Sequence, residues 1–180
     1  MKLDTELEGL PVAEAAFYIR LALQVEVLER ADISDWLDEV LLRDEPADTF
    51  FLHLYRVLHT NKQEVPRFLK NAFPDVYFTV RPGIGWLYRQ FATGTWPVSQ
   101  LVRSLYRLRT LVESDAEVGW IYGLAADYER AAGGSLEEMQ EVEHEAGAFL
   151  ACYQDYTFSN RAQWQSLDAM LEQRLAGLRF

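Results

Sequence analysis

The chain has 180 residues, 49% of them hydrophobic and 13% aromatic, and a net charge of −11. That much apolar material can bury a core and excludes an intrinsically disordered chain despite the charge. A single cysteine, Cys152, excludes an internal disulfide and a cysteine cluster for zinc.

Taken in order, Pro11 suits a first helical turn, and the pattern predicts a helix running to about Ala31. Its apolar residues, among them Phe17, Ile19, Leu21, Val25 and Leu28, point to nearly every side, as in a helix central to a globule. Ile33–Arg43 predicts a short helix with Ile33, Trp36, Leu37, Val40 and Leu41 on one stripe and Asp35, Asp38 and Glu39 opposite. Asp44 and Pro46 open a helix from Ala47 to about Thr60, whose buried side is Phe50, Phe51, Leu54, Val57 and Leu58. Asn61 and Glu64 have capping-box spacing for a helix to Ala72, with Pro66 imposing a kink or a later start.

Val76–Val80 is β-rich and is the one candidate extended segment, without a visible partner strand. Pro82-Gly83-Ile84-Gly85 reads as a turn before a short helix Trp86–Ala92 that Gly94 ends. Further helices are predicted over Pro97–Val112 and from Asp115 to Ala132, broken at Gly133-Gly134. Ser135 with Glu138 forms a capping box for Ser135–Tyr156, and Ser159 or Asn160 begins a last helix to Ala176, capped by Gly177. The sum is an all-α fold: one domain over residues 1–180, an orthogonal helical bundle of eight or nine helices with at most one short extended segment.

Charge is distributed unevenly along these elements. Residues 49–112 hold nine Lys/Arg against Glu64 and Asp75, a net of +7. Residues 1–48 and 113–180 each hold 4 basic and 13 acidic residues, a net of −9 apiece, so that −9 + 7 − 9 gives −11. The expectation is a basic middle neutralised by acidic arms, leaving a negative exterior. Nucleic-acid binding is then disfavoured, although Arg and Lys alternate with aromatics between Arg67 and Arg107. The acidic stretch Met1–Leu10 has no signal-peptide core, and no window of about 18 apolar residues marks a membrane span. With one thiol, this predicts a cytoplasmic, bacterial-type protein.

Two charged residues fall on apolar stripes. Arg109 projects between Val102 and Leu105, and must pair with a carboxylate or snorkel to a helix end. Glu129 projects with Val118, Ile121, Tyr122 and Ala125 on the next helix. Arg109, His53 and Glu129 are the candidate residues for an anion site or pocket.

Catalytic motifs fail one by one. Glu141-Val142-Glu143-His144 has the E-x-x-H spacing of a di-iron half-site but no second copy, and His144-Glu145 begins an H-E-x-x-H that ends in Ala148. His53 and His59 have no ligand partners at metal spacing. Gly83 and Gly85 are followed by Tyr88 where a dinucleotide fingerprint needs a third glycine. No cofactor or metal is predicted. The remaining candidate surface is an acidic ridge, Glu137, Glu138, Glu141 and Glu145, suited to a basic protein partner.

Glu45-Pro46-Ala47-Asp48 resembles part of the E-P-x-D-H motif of the helical chaperones that mature redox enzymes, with Thr49 in place of the histidine; the resemblance implies a peptide-binding groove. The leading expectation is a non-enzymatic protein-binding module of immunity or antitoxin type, masking a basic partner. The alternatives are a small-molecule binder or enzyme with a cleft near Arg109, His53 and Glu129, and a maturation chaperone.

Overall fold

A computed structural model describes residues 3–43 and 48–178. Every regular element among them is helical, and Val76–Val80 is irregular rather than a strand. No helix among the described residues is long and apolar enough to cross a membrane. Contacts gather the chain into two compact units, Met1–Phe78 and Thr79–Phe180.

The first unit contains α1 (Leu3–Leu7), α2 (Val12–Gln24), α3 (Arg30–Arg43), α4 (Thr49–Thr60) and α5 (Val65–Ala72). The helix predicted to run to Ala31 stops at Gln24. Glu26 sits in the left-handed region at φ 63, with Glu26 N donating to Leu23 O and Val27 N to Ala22 O. Those bonds form a Schellman stop, a position that normally takes glycine. The reason it forms here is packing: Val25, Val27 and Leu28 turn inward and are buried. The next helix starts at Arg30, before Ile33, and Asp32 accepts from Glu29 N across its first turn. α3 buries Ile33, Trp36, Leu37 and Val40 as its spacing predicts.

Asp48 caps α4 by accepting from Phe50 N at 2.8 Å. Phe50, Phe51, Leu54 and Leu58 form the buried side of α4, each contributing about 1.5–3 kcal/mol by leaving water. Phe50 stacks on Phe68, and Phe51 meets Trp36 edge-on. Lys62–Glu64 forms a separate 3₁₀ turn capped by Asn61, and Pro66 then lies in the first turn of α5, where its missing N–H is harmless. Glu45, Pro46 and Ala47 of the chaperone-like motif lie outside the described residues.

The second unit contains α6 (Arg81–Ala92), α7 (Val98–Leu108), α8 (Asp115–Ala131), α9 (Leu136–Ala151) and α10 (Trp164–Gly177), the last preceded by a 3₁₀ stretch, Phe158–Gln163. Pro82-Gly83-Ile84-Gly85 is not a turn: it makes up the start of α6, and all four residues are buried. Pro82 suits the first turn, and Gly85 is there for proximity. A Cβ on Gly85 would lie 2.9 Å from Tyr156 O and 3.0 Å from Tyr153 O. α6 ends at the predicted Gly94, whose φ is 67.

Ser135 and Glu138 make both capping-box bonds at the start of α9, as predicted. Ser114 and Glu117 make a second box for α8. α8 packs against α7 on one flank and α9 on the other, while α6 packs on α9. Trp120 stacks on Phe149, and α10 contributes Trp164, Leu167, Leu171 and Leu175, one residue per turn.

Candidate functional site

The strongest polar cluster is buried in the second unit. Arg81, in the first turn of α6, is 6% exposed, and Glu117 on α8 is 0% exposed. Arg81 Nε and Nη2 donate to the two Glu117 carboxylate oxygens at 3.2 Å each, a bidentate pair. Arg81 Nη1 donates to Asp168 Oδ1 of α10 at 2.5 Å. Tyr153 Oη donates to Glu117 Oε1 at 3.0 Å, and Tyr156 Oη to Asp168 Oδ1 at 2.7 Å. Glu117 Oε2 also accepts from Ser114 N at 3.1 Å, closing the α8 capping box. One guanidinium thus ties α6, α8 and α10 together, with the turn after α9 joined through two tyrosines.

Burial alone would push the Arg81 guanidinium down; hydrogen bonding and charge from Glu117, then Asp168, reverse this and hold it above its ordinary value. Burial, with the adjacent Glu117 charge, pushes the Tyr153 hydroxyl up. Both groups therefore keep their protons near neutral pH, and each polar atom described here already has a protein partner. That is the chemistry of a clamp rather than of proton transfer.

Two open surfaces flank α8. On the α7 side a groove of about 560 Å³ is lined by Val102, Arg103, Tyr106, Arg107, Tyr122 and Glu129, among others. Tyr106 and Tyr122 are 39% and 48% exposed, with rings edge-to-face at 5.7 Å. On the α9 side a furrow of about 330 Å³ brings Asp127, Glu138, Glu141 and Glu145 together with Arg130. Arg130 Nη2 donates to Asp127 Oδ1 at 2.6 Å, and Glu138 Oε2 accepts from Ser135 N at 2.6 Å. Burial, followed by repulsion from Asp127 and Glu141, pushes the Glu145 carboxyl above its usual range.

The predicted acidic ridge is therefore gathered in part. Glu138, Glu141 and Glu145 line the furrow, joined by Asp127, while Glu137 is exposed outside its lining. Arg109, His53 and Glu129 are distributed differently from the prediction. α7 ends at Leu108, so Arg109 is the residue after the helix, half-buried; its Nη1 donates to Tyr106 O at 2.9 Å and its Cζ lies 4.2 Å above the Tyr106 ring. It snorkels to the helix end rather than into a stripe. Glu129 is exposed and lines the α7–α8 groove, because α8 turns Trp120, Ile121 and Leu124 inward instead of the stripe through Tyr122. His53 is exposed on α4 of the first unit, and His144 is exposed on α9. No group of three or more His, Cys, Asp or Glu among the described residues is arranged to hold a metal ion.

Sequence reasoning did not find Arg81 or Glu117. Ser114-x-x-Glu117 has capping-box spacing and was the available signal for Glu117; nothing local marks Arg81 as its partner 36 residues away. The expected neutralisation of the basic middle is seen at Arg81, whose carboxylates come from the acidic C-terminal segment. Arg103 is instead exposed at the rim of a groove.

The chain defines an all-α helical bundle. No family model matches it, and no curated protein and no solved structure matches it.

Proposed function

We propose that the protein is a non-enzymatic, acidic protein-binding module that captures a basic partner along the α8–α9 furrow. The observation that supports this reading is the convergence of Asp127, Glu138, Glu141 and Glu145 on one open furrow. Packing carboxylates together raises their mutual repulsion, and a cationic side chain entering the furrow relieves it. Fixed negative charge on rigid helices also accelerates the encounter with a positive surface. The partner is a basic protein rather than a nucleic acid, whose phosphates the furrow and the net charge of −11 repel. The lone cysteine is consistent with work in a reducing, bacterial-type cytoplasm, and masking of a basic toxin or enzyme is the role that this chemistry suits.

Capture from host lysate on immobilised protein tests the reading, with E138K/E141K/E145K as the matched control. The expected result is one basic protein retained by the wild type, released by salt and absent from the control. Identical capture on both columns would rule the furrow out.

A further inference from the structure

The α7–α8 groove presents a cation and an anion on opposite walls. Arg103 stands on α7 and Glu129 on α8, and both are exposed. Among the described residues neither has a hydrogen-bond or ion-pair partner, and they are not paired with each other. The short connection at 109–114 makes the packed helices α7 and α8 antiparallel. The Tyr106 and Tyr122 rings, 5.7 Å apart, fix their register. From that pair Arg103 lies three residues back along α7, about 4.5 Å, and Glu129 seven residues on along α8, about 10 Å. Both steps run away from the connection, and each side chain leans as the tyrosine of its own helix does. Glu129 therefore lies about 6 Å beyond Arg103 and across the groove from it.

The tyrosine end of the groove is rigid. Arg109 Nη1 donates to Tyr106 O at 2.9 Å, its Cζ lies 4.2 Å from the Tyr106 ring centroid, and Tyr122 meets that ring edge-on. Between the tyrosines and Glu129 the lining is apolar and small, with Val102, Ala125 and Ala126. The open volume of about 560 Å³ is that of a small-molecule site.

We propose that this groove binds a free aromatic α-amino acid, its carboxylate on Arg103, its ammonium on Glu129 and its ring against Tyr106 and Tyr122. The stretch of about 10 Å from the tyrosines to Glu129 takes one ring and the α-carbon that carries it. An aromatic acid without the ammonium would set its carboxylate facing Glu129, and a polyanion would do so more strongly. An aromatic amine would leave Arg103 unmatched. A protein chain end brings only one of the two charges beside a ring. Arg107, on the same wall, has an interaction of its own and is not required.

Isothermal titration of the full chain with L-phenylalanine tests the proposal without any protein partner, so it can fail while the α8–α9 furrow reading holds, or the reverse. For a ligand of about twelve heavy atoms in an open groove, the expected dissociation constant is about 0.1 mM. Deleting one ligand charge, as in 3-phenylpropionate or phenethylamine, should weaken binding by about tenfold. R103A and E129A should each weaken L-phenylalanine by about tenfold as well. The crossed arms read the pairing: R103A should leave phenethylamine unchanged, and E129A should bind 3-phenylpropionate no more weakly than the wild type does. Both side chains are exposed, so the fold does not rest on them. In the wild type, backbone amide shifts on adding L-phenylalanine are expected at Val102, Ala125 and Ala126. Absence of heat and of shifts at about ten times the expected constant would overturn the proposal. So would 3-phenylpropionate binding as tightly as L-phenylalanine, which would make the groove an anion site, or undiminished binding in both variants.

Discussion

Replacing Arg81 with methionine keeps much of the side chain's volume while deleting its charge and donors. Glu117 would remain at 0% exposure with Tyr153 Oη, Ser114 N and Glu113 N as its donors and no cation. Removing one partner of a buried pair typically costs about 3–5 kcal/mol, because the other charge stays desolvated. Asp168 adds little to that figure, since at 39% side-chain exposure water replaces most of what it loses. The expected loss for R81M is therefore about 3–5 kcal/mol. Replacing both partners, as R81M/E117L, should recover part of it, because no buried charge is then left uncompensated. Urea unfolding followed by tryptophan fluorescence reads the second unit through the buried Trp86, Trp120 and Trp164. A loss below about 1 kcal/mol for R81M would refute the clamp, since that is the range of a solvated surface pair.

Four further substitutions follow from the packing. G85A should lower stability by about 1–3 kcal/mol in thermal melts, reversing the usual gain of alanine in a helix, because two backbone carbonyls would have to shift. E26G should raise stability by about 1 kcal/mol by relieving the left-handed conformation at φ 63. Ser104 Oγ is buried without a hydrogen-bond partner, so S104A should be neutral or stabilising by up to about 1 kcal/mol in denaturant unfolding. Glu145 is held above its usual carboxyl range, so the folded state binds its proton more readily than the unfolded chain. Stability therefore falls as pH rises from the ordinary glutamate value through the raised one, and E145Q should be more stable than wild type at neutral pH, with the gain vanishing in acid.

Local signals in the sequence were read correctly where the physics is local. Ser135 with Glu138 works as a cap and Gly94 as a stop because each bond reaches only a few residues along the chain. Errors arose where packing overrides propensity. A glutamate at a left-handed stop carries no compositional mark, so the break at Glu26 was invisible. Gly83 and Gly85 looked like a turn because the carbonyls that require a missing Cβ lie about 70 residues downstream. Arg109 was projected onto a helix that ends one residue before it, where a wheel no longer applies. On α8 two apolar stripes share Ile121, and the stripe holding Trp120 is the buried one, leaving Glu129 in water. Of the acidic site, the α9 carboxylates could be read from i, i+4 spacing, but Asp127 enters only through the α8–α9 packing.

The proposed function requires the fixed negative charge between α8 and α9 to take up cationic protein groups. Titrating the isotope-labelled chain with oligolysine and following backbone amide resonances tests it most directly. The expected result is salt-sensitive shifts concentrated at Asp127, Glu138, Glu141 and Glu145, and abolished in E138K/E141K/E145K. Shifts spread evenly over acidic residues such as Asp35, Asp38 and Glu39 of α3, or unchanged in that variant, would contradict it.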